Sequence, residues 1–273
     1  MIRFAQQSDT ERIRALWEVC FPDEGGFNPW YFEYLYRPEH TLIYELDGEL
    51  AAMLQMLPFE IEADGTAKSV TYIYGACTAP QHRRKHLMAQ LLEESFRLDR
   101  ENGRAASVLI PQEDWLFGFY RKFGYQAGFT VSTQKYQCKS YKDTVKAYRL
   151  TDADICDLKC LYQQISAPKV VRPNRFWEIQ LKLFQTIGAG AFGIRQDGCL
   201  KAAAFCWTTE QGIWIQEMLA ATPEDGQLLA DLIGRQSGSE SVTITSVGNE
   251  IPLGCVKFYD TEWENGYMNL MFN

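Results

Sequence analysis

"TAPQHRRKHLMAQLL", Thr78 to Leu92, passes from small residues through a proline and a basic cluster into an apolar stripe at helical spacing. Just upstream, "YIYGAC" (Tyr72 to Cys77) is aromatic and apolar, and reads as a buried strand that ends at Pro80. A strand, a basic turn and a helix in that order put Arg83, Arg84 and Lys85 at a helix N-terminus, with His82 and His86 beside them. Unpaired backbone N–H groups and the positive end of the helix dipole favour anions there. The junction is therefore expected to hold an oxyanion of more than one negative charge.

Working outward, the chain carries the same plan twice. "IRFAQQSDTERIRALW" (Ile2 to Trp17) parallels "YRLTDADICDLKCLY" (Tyr148 to Tyr162): an extended opening, an Asp-containing cap, then a helical apolar stripe. "YELDGELAAMLQM" parallels "IRQDGCLKAAAFC", two strands joined by an Asp-Gly hairpin at Asp47-Gly48 and at Asp197-Gly198. "YIYGACTAP" parallels "IQEMLAATP", each strand ending at a proline, Pro80 or Pro223, with a helix after it. "ASVLIP" and "SVTITSV" then read as buried strands. The expectation is an α/β fold of two tandem domains, 1–140 and 147–273, each a mixed sheet flanked by helices, joined near Cys138 to Ala147.

The copies differ where it matters. Between Pro80 and Leu87 the first has "QHRRKH", whereas between Pro223 and Leu228 the second has only "EDGQ", shorter and acidic. The second junction is not expected to hold a phosphate, so the second domain reads as degenerate.

At 273 residues, 46% hydrophobic and 14% aromatic, the chain has ample core for two domains. A net charge of -8 disfavours nucleic acid and anionic membrane as partners and suits a cationic acceptor. The opening "MIRFAQQSDTERIR" has no signal-peptide pattern, and no apolar run reaches the ~18 to 20 residues of a membrane span, so a cytoplasmic location is expected. The 8 cysteines include no CxxC pair and are expected to be mostly buried hydrophobes; Cys156 and Cys160 read as helix core rather than a metal site. Oligomeric state is left open.

With these residues in view, the chain resembles the GCN5-related N-acetyltransferase (GNAT) family. Arg83-Arg84-Lys85-His86-Leu87-Met88 occupies the family's central motif, and "LIPQEDWLFGFYRKFGY" (Leu109 to Tyr125) is similar to its later strand, helix and "FYxKxGF" segment. The tandem plan and "APQHRRKHLM" resemble the first two domains of Eis-type acetyltransferases, over nearly the whole chain. In those enzymes a third domain supplies a C-terminal carboxylate to the site; this chain is expected to lack one, which leaves the general base unassigned.

The resemblance implies acetyl-CoA as co-substrate, with its pyrophosphate on the backbone amides of Arg83, Arg84, Lys85, His86, Leu87, Met88 and Ala89. Ala76, Cys77 and Thr78 would line the pantetheine arm, Glu113 would touch the cofactor, and Tyr120 would protonate the departing sulfur. His86 and Met88 stand where the family motif has small residues; a helical φ at His86 would still permit a side chain that points away, so the change is expected either to weaken cofactor binding or to let His86 add a contact. Glu60, Glu62, Glu113 and Asp114 are the acidic residues expected near the site. The acceptor, a small-molecule or peptide amine, would enter past "FPDEGGFNPWYFEYLY" (Phe21 to Tyr36), where Asp23, Glu24 and aromatic rings would hold a cation. A non-catalytic CoA or anion sensor of the same fold is the alternative.

Overall fold

The computed structural model describes residues 1–23, 25–139 and 145–272. Its elements begin β1 (Ile2–Phe4), α1 (Thr10–Cys20), α2 (Phe27–Tyr34), β2 (Thr41–Leu46), β3 (Glu49–Ala63), β4 (Thr66–Thr78), α3 (Leu87–Glu101), β5 (Ala106–Leu109), α4 (Trp115–Arg121) and β6 (Gln126–Gln137). They continue β7 (Tyr148–Arg149), α5 (Ile155–Gln163), β8 (Lys169–Val170), α6 (Asn174–Thr186), β9 (Gly190–Gln196), β10 (Cys199–Thr209), β11 (Gly212–Ala220), α7 (Pro223–Ser237), β12 (Ser241–Val247) and β13 (Ile251–Phe258).

Two compact units result, and neither is one stretch of chain. The first comprises Met1–Phe129 with Gly254–Asn265; the second comprises Thr130–Leu253 with a segment starting at Gly266. The connection expected near Cys138 to Ala147 falls partly on 140–144, outside the described residues.

In the first unit the strands run β1-β2-β3-β4-β5-β13. The pairings are antiparallel except for β4 with β5, which is parallel. In the second unit the order is β7-β9-β10-β11-β12-β6, again antiparallel except for β11 with β12. Each parallel pair needs a crossover, and α3 and α7 supply them.

Local chemistry accounts for these elements. Asp47-Gly48, Asp64-Gly65 and Asp197-Gly198 all have positive φ at both positions, the backbone of two-residue hairpins whose twist matches the flanking strands. The apolar stripes go inward: Ile13, Leu16 and Trp17 of α1, Leu87, Leu91, Leu92 and Phe96 of α3, and Ile155, Leu158, Leu161 and Tyr162 of α5 are buried. Asp9 closes a capping box with Gln6 and accepts from Arg3 at 2.7 Å, while Asp154 closes one with Thr151 and accepts from Arg195 at 2.7 Å. Both units thus tie the start of their first helix to an arginine on a strand.

The cysteines correct an expectation. Only Cys77, Cys206 and Cys255 are buried; Cys20 and Cys138 are intermediate, and Cys156, Cys160 and Cys199 are exposed. Cys156 and Cys160 lie on the outer side of α5 because its stripe of Ile155, Leu158, Leu161 and Tyr162 takes the inner one.

Candidate active site

In the first unit the parallel pairing of β4 with β5 covers only Val70↔Ala106, Thr71↔Ser107 and Tyr72↔Val108. Beyond Tyr72, β4 runs on to Thr78 paired with β3 and, among the described residues, no longer with β5, so the two parallel strands fork. A bulge shapes the free arm: Met53 pairs Cys77 and Gln55 pairs Tyr74, leaving Gly75 and Ala76 opposite Leu54. Gly75 has φ +56, and a Cβ there would collide with the Trp17 ring, so only glycine serves both the bulge and the close approach of α1. Sequence reading passed over Gly75, although a glycine inside an apolar strand is the usual mark of a bulge.

At the end of this arm a short 3-10 turn, Pro80–His82, leads into Arg83–His86 and then α3. Among the described residues no side chain caps α3, and its first turn contains no acidic residue. The backbone N–H groups at its start are thus left for an anion. Arg84 and His86 both adopt the left-handed conformation, φ 63 and φ 60. His86 therefore does not take the helical φ that would accommodate its side chain easily: the turn has the backbone that a glycine would take, although histidine occupies it. Residues 83–86 are exposed, whereas Leu87 is buried in the core, so only the main chain of Leu87 is available to a ligand. Met88 and Ala89 are intermediate.

The cations are partly committed. Lys85 Nζ donates to His82 Nδ1 at 3.1 Å, and His82 Nε2 to Glu49 Oε2 at 3.1 Å. Arg83 Nε donates to the Thr78 carbonyl at 3.3 Å, which brings its guanidinium back across the strand end.

Tyr120 sits in α4, in the cluster that contains Ile73, Leu91, Leu109 and Cys255. Its ring meets Tyr125 edge-on with centroids 5.7 Å apart. Burial pushes its hydroxyl up to about 12, with the Cys255 thiol adding to the shift. Tyr120 also acts electrostatically on Tyr72, the last β4 residue paired with β5, and shares a core cluster with Ile73 just beyond it, which puts it near the apex of the fork.

Other expected site residues are not brought together. Glu113 is exposed and accepts the Trp115 indole N–H at 2.6 Å. Asp114 is exposed and is the N-cap residue of α4. Glu60 and Glu62 are exposed opposite Ser69 and Ala67, on the hairpin side of the paired segment, and Ser69 is roughly 13 Å of strand from Ile73 where the fork opens. They are therefore not beside the fork. Asp23 is spent on the backbone, accepting from Gly25 N at 2.9 Å and Asn28 N at 2.7 Å, and Glu24 lies outside the described residues. The aromatic rings of this segment mostly pack the core: Trp17 stacks on Tyr31 with centroids 4.6 Å apart, Asn28 accepts its indole N–H at 2.7 Å, and Trp30, Tyr31, Phe32 and Tyr36 are buried.

The second unit has the same fork but fills it. β11 pairs β12 only over Ile213 to Ile215. Past that point Asn269 donates to the Gln216 carbonyl at 2.7 Å, and Tyr267 donates to Glu217 at 2.6 Å. Arg172 grips Glu217 in two bonds of 2.6 and 2.9 Å and also donates to the Asn269 carbonyl at 2.8 Å. The helix start is closed as well: Thr222 caps α7 by accepting from Asp225 N at 3.2 Å, and Glu224 and Asp225 stand in its first turn. β12 is followed by a short turn into β13, so α4 and its tyrosine have no counterpart there.

Residues 1–128 match the family model "Acetyltransferase (GNAT) domain". A comparison with curated protein sequences gives no match. Among solved structures the chain is similar to a probable N-acyltransferase from Enterococcus faecalis V583, at 16% identity over 94% of this chain and 72% of that one, TM-score 0.76. It is similar to Eis1 from Mycobacterium abscessus at 14% identity over 95% and 74%, TM-score 0.65. It is also similar to Saccharomyces cerevisiae N-myristoyltransferase, solved with bound myristoyl-CoA, at 9% identity over 96% and 83%, TM-score 0.61. Residues 1–128, somewhat under half of the chain, are thus similar to the acetyltransferase (GNAT) domain family, and the whole chain has the fold of these structures.

Proposed function

We propose that the protein is an acyl-CoA-dependent N-acetyltransferase that moves an acetyl group from acetyl-CoA directly to an amine of a small molecule or peptide. The observation that carries this is the coincidence, in one unit, of an uncapped helix start behind a left-handed basic turn with an open strand fork. The second unit, with its helix capped and its fork filled, acts as a degenerate partner without a pyrophosphate site. The acyl-CoA bound by the structurally similar myristoyltransferase supports a CoA thioester as the co-substrate class.

Acetyl-CoA, when bound, supplies an acetyl group activated as a thioester. The N–H groups of Arg83 to Ala89 would bind its pyrophosphate, with Arg84 and Lys85 adding charge. Ala76, Cys77 and Thr78 would align the pantetheine arm along the free edge of β4, where a backbone N–H can polarise the thioester oxygen. Tyr120 would hold a proton for the leaving thiolate. With its hydroxyl pushed up to about 12 it stays protonated throughout the neutral range, as an acid must before it acts. Glu113, which accepts from Trp115 and is not gathered with the fork residues, would touch the cofactor only as the resemblance implies.

The test is incubation with acetyl-CoA and a panel of amines while free thiol is followed. Release of CoA above the hydrolysis background that depends on an amine supports the enzyme. Saturable binding without turnover for every amine supports the sensor instead, a reading favoured only by the side chains at His86 and Met88.

A further inference from the structure

On the other side of β4 from α3, helix α1 lies along the strand in a register fixed by Trp17 over Gly75. Three residues on along α1 comes Cys20, and two residues on along β4 comes Cys77, so both elements deliver a thiol to the same place. Cys20 Sγ donates to the carbonyl of Thr78, the residue next to Cys77, at 3.7 Å, and each thiol acts on the titration of the other. Arg83, anchored on that carbonyl, holds its charge beside Cys20. Nothing in the acyl-transfer chemistry uses Cys20.

The two sulfurs are unequal. Cys20 is half-buried, and its thiol is lowered to about 7, first by the neighbouring Cys77 thiol and then by Arg83, against the opposing effect of burial. Cys77 is buried, and desolvation pushes its thiol up. The titratable and charged groups acting on Cys20 are Cys77 on β4 and Arg83 in the turn beyond it. A half-buried thiol that ionises readily next to a buried thiol that does not is the arrangement of an attacking and a resolving cysteine.

We propose that Cys20 and Cys77 form a redox-active pair that a peroxide converts to an intramolecular disulfide. The Cys20 thiolate attacks one peroxide oxygen, the O–O bond breaks, and the departing hydroxide takes a proton to become water. Cys20 is thereby oxidised by two electrons to a sulfenic acid as the peroxide is reduced. The Cys77 sulfur then attacks Cys20 Sγ, the S–O bond breaks, and the Cys77 proton leaves with the hydroxide as a second water. A dithiol reductant reverses the product.

The experiment exposes the full chain to graded hydrogen peroxide between pH 6 and 9, blocks remaining thiols by alkylation, and maps every cysteine by peptide mass spectrometry. A Cys20–Cys77 linkage is expected, lost on treatment with dithiothreitol, and forming at a rate that reaches half its limit near pH 7. At neutral pH Cys20 should react roughly tenfold faster than an ordinary exposed thiol such as Cys199. In Cys77→Ala the Cys20 sulfenic acid should accumulate and be trapped by dimedone; in Cys20→Ser, which changes a half-buried position, Cys77 should stay reduced. Oxidation of Cys199 that leaves Cys20 alkylated would overturn the proposal. So would sulfinic acid at wild-type Cys20 with Cys77 still free. These readouts concern sulfur alone and stand whether or not the protein transfers acetyl groups.

Discussion

Tyr120 is buried against Tyr125 and Phe119, and its packing and its hydroxyl have separable consequences. Tyr120→Phe keeps the ring, so acetyl-CoA affinity should change little while kcat falls by ~10²-fold or more, the usual worth of a positioned general acid. Full activity with any amine that the wild type acetylates would remove it from the mechanism. Its pH behaviour follows from the raised hydroxyl: an acid that ionises at about 12 keeps its proton as pH rises from 6 to 10. A kcat profile over that range should therefore show no falling alkaline limb from this group. His86 is a second single-residue test. A non-glycine left-handed residue costs roughly 1–2 kcal/mol, part of which glycine returns to the unfolded chain as entropy. His86→Gly should thus stabilise the protein by about 0.5–1 kcal/mol, whereas β-branched His86→Val should destabilise it, both read as shifts in Tm.

At the scale of elements, α3 and the free arm of β4 have to act together. The helix start is uncapped because the turn before it, with Arg84 and His86 left-handed, brings the backbone in without a Ser, Thr or Asp side chain folding over it. Replacing Arg84 and Lys85 by Glu leaves the core of α3 untouched, because Leu87, Leu91, Leu92 and Phe96 hold it, but should turn the proposed pyrophosphate site against its ligand. Acetyl-CoA at ~100 times its dissociation constant should stabilise the wild type by ~2.7 kcal/mol, and the double variant should lose that shift while melting normally without ligand. A thermal shift that survives would place the pyrophosphate elsewhere.

For the whole molecule, the same strand order occurs in two units that have opposite fates at their forks. One equivalent of acetyl-CoA per chain is expected by calorimetry; two would sink the assignment of the second unit. The network that fills its fork is a fully buried ion pair, and removing one member strands the other. Glu217→Ala should cost ~3–5 kcal/mol, because Arg172 would be left charged with no carboxylate, whereas Arg172→Met with Glu217→Leu should recover much of that loss. Denaturant unfolding of both variants checks the pair.

The sequence by itself determined what depends on neighbours along the chain. The Asp-Gly hairpins at Asp47 and Asp197, the Asp-containing capping boxes that lead into the first helices, the strand-proline-helix junctions and the basic turn were all legible, because turn chemistry, capping and periodicity act within a few residues. The acidic turn after Pro223 likewise marked the second copy as unlike the first. Tertiary structure alone decided how far each parallel pair zips before it forks, since that depends on crossover geometry and on a bulge seated against Trp17. It decided that Glu60 and Glu62 belong to a hairpin end and that Asp23 serves backbone N–H groups, because a carboxylate's role depends on which donors the fold brings to it. It also filled the second fork with Tyr267 and Asn269, about fifty residues beyond Gln216 and Glu217, and set Cys20 against Cys77 across fifty-seven residues of sequence. Such distant pairings carry no local signature, because they are selected by packing once the sheet has formed.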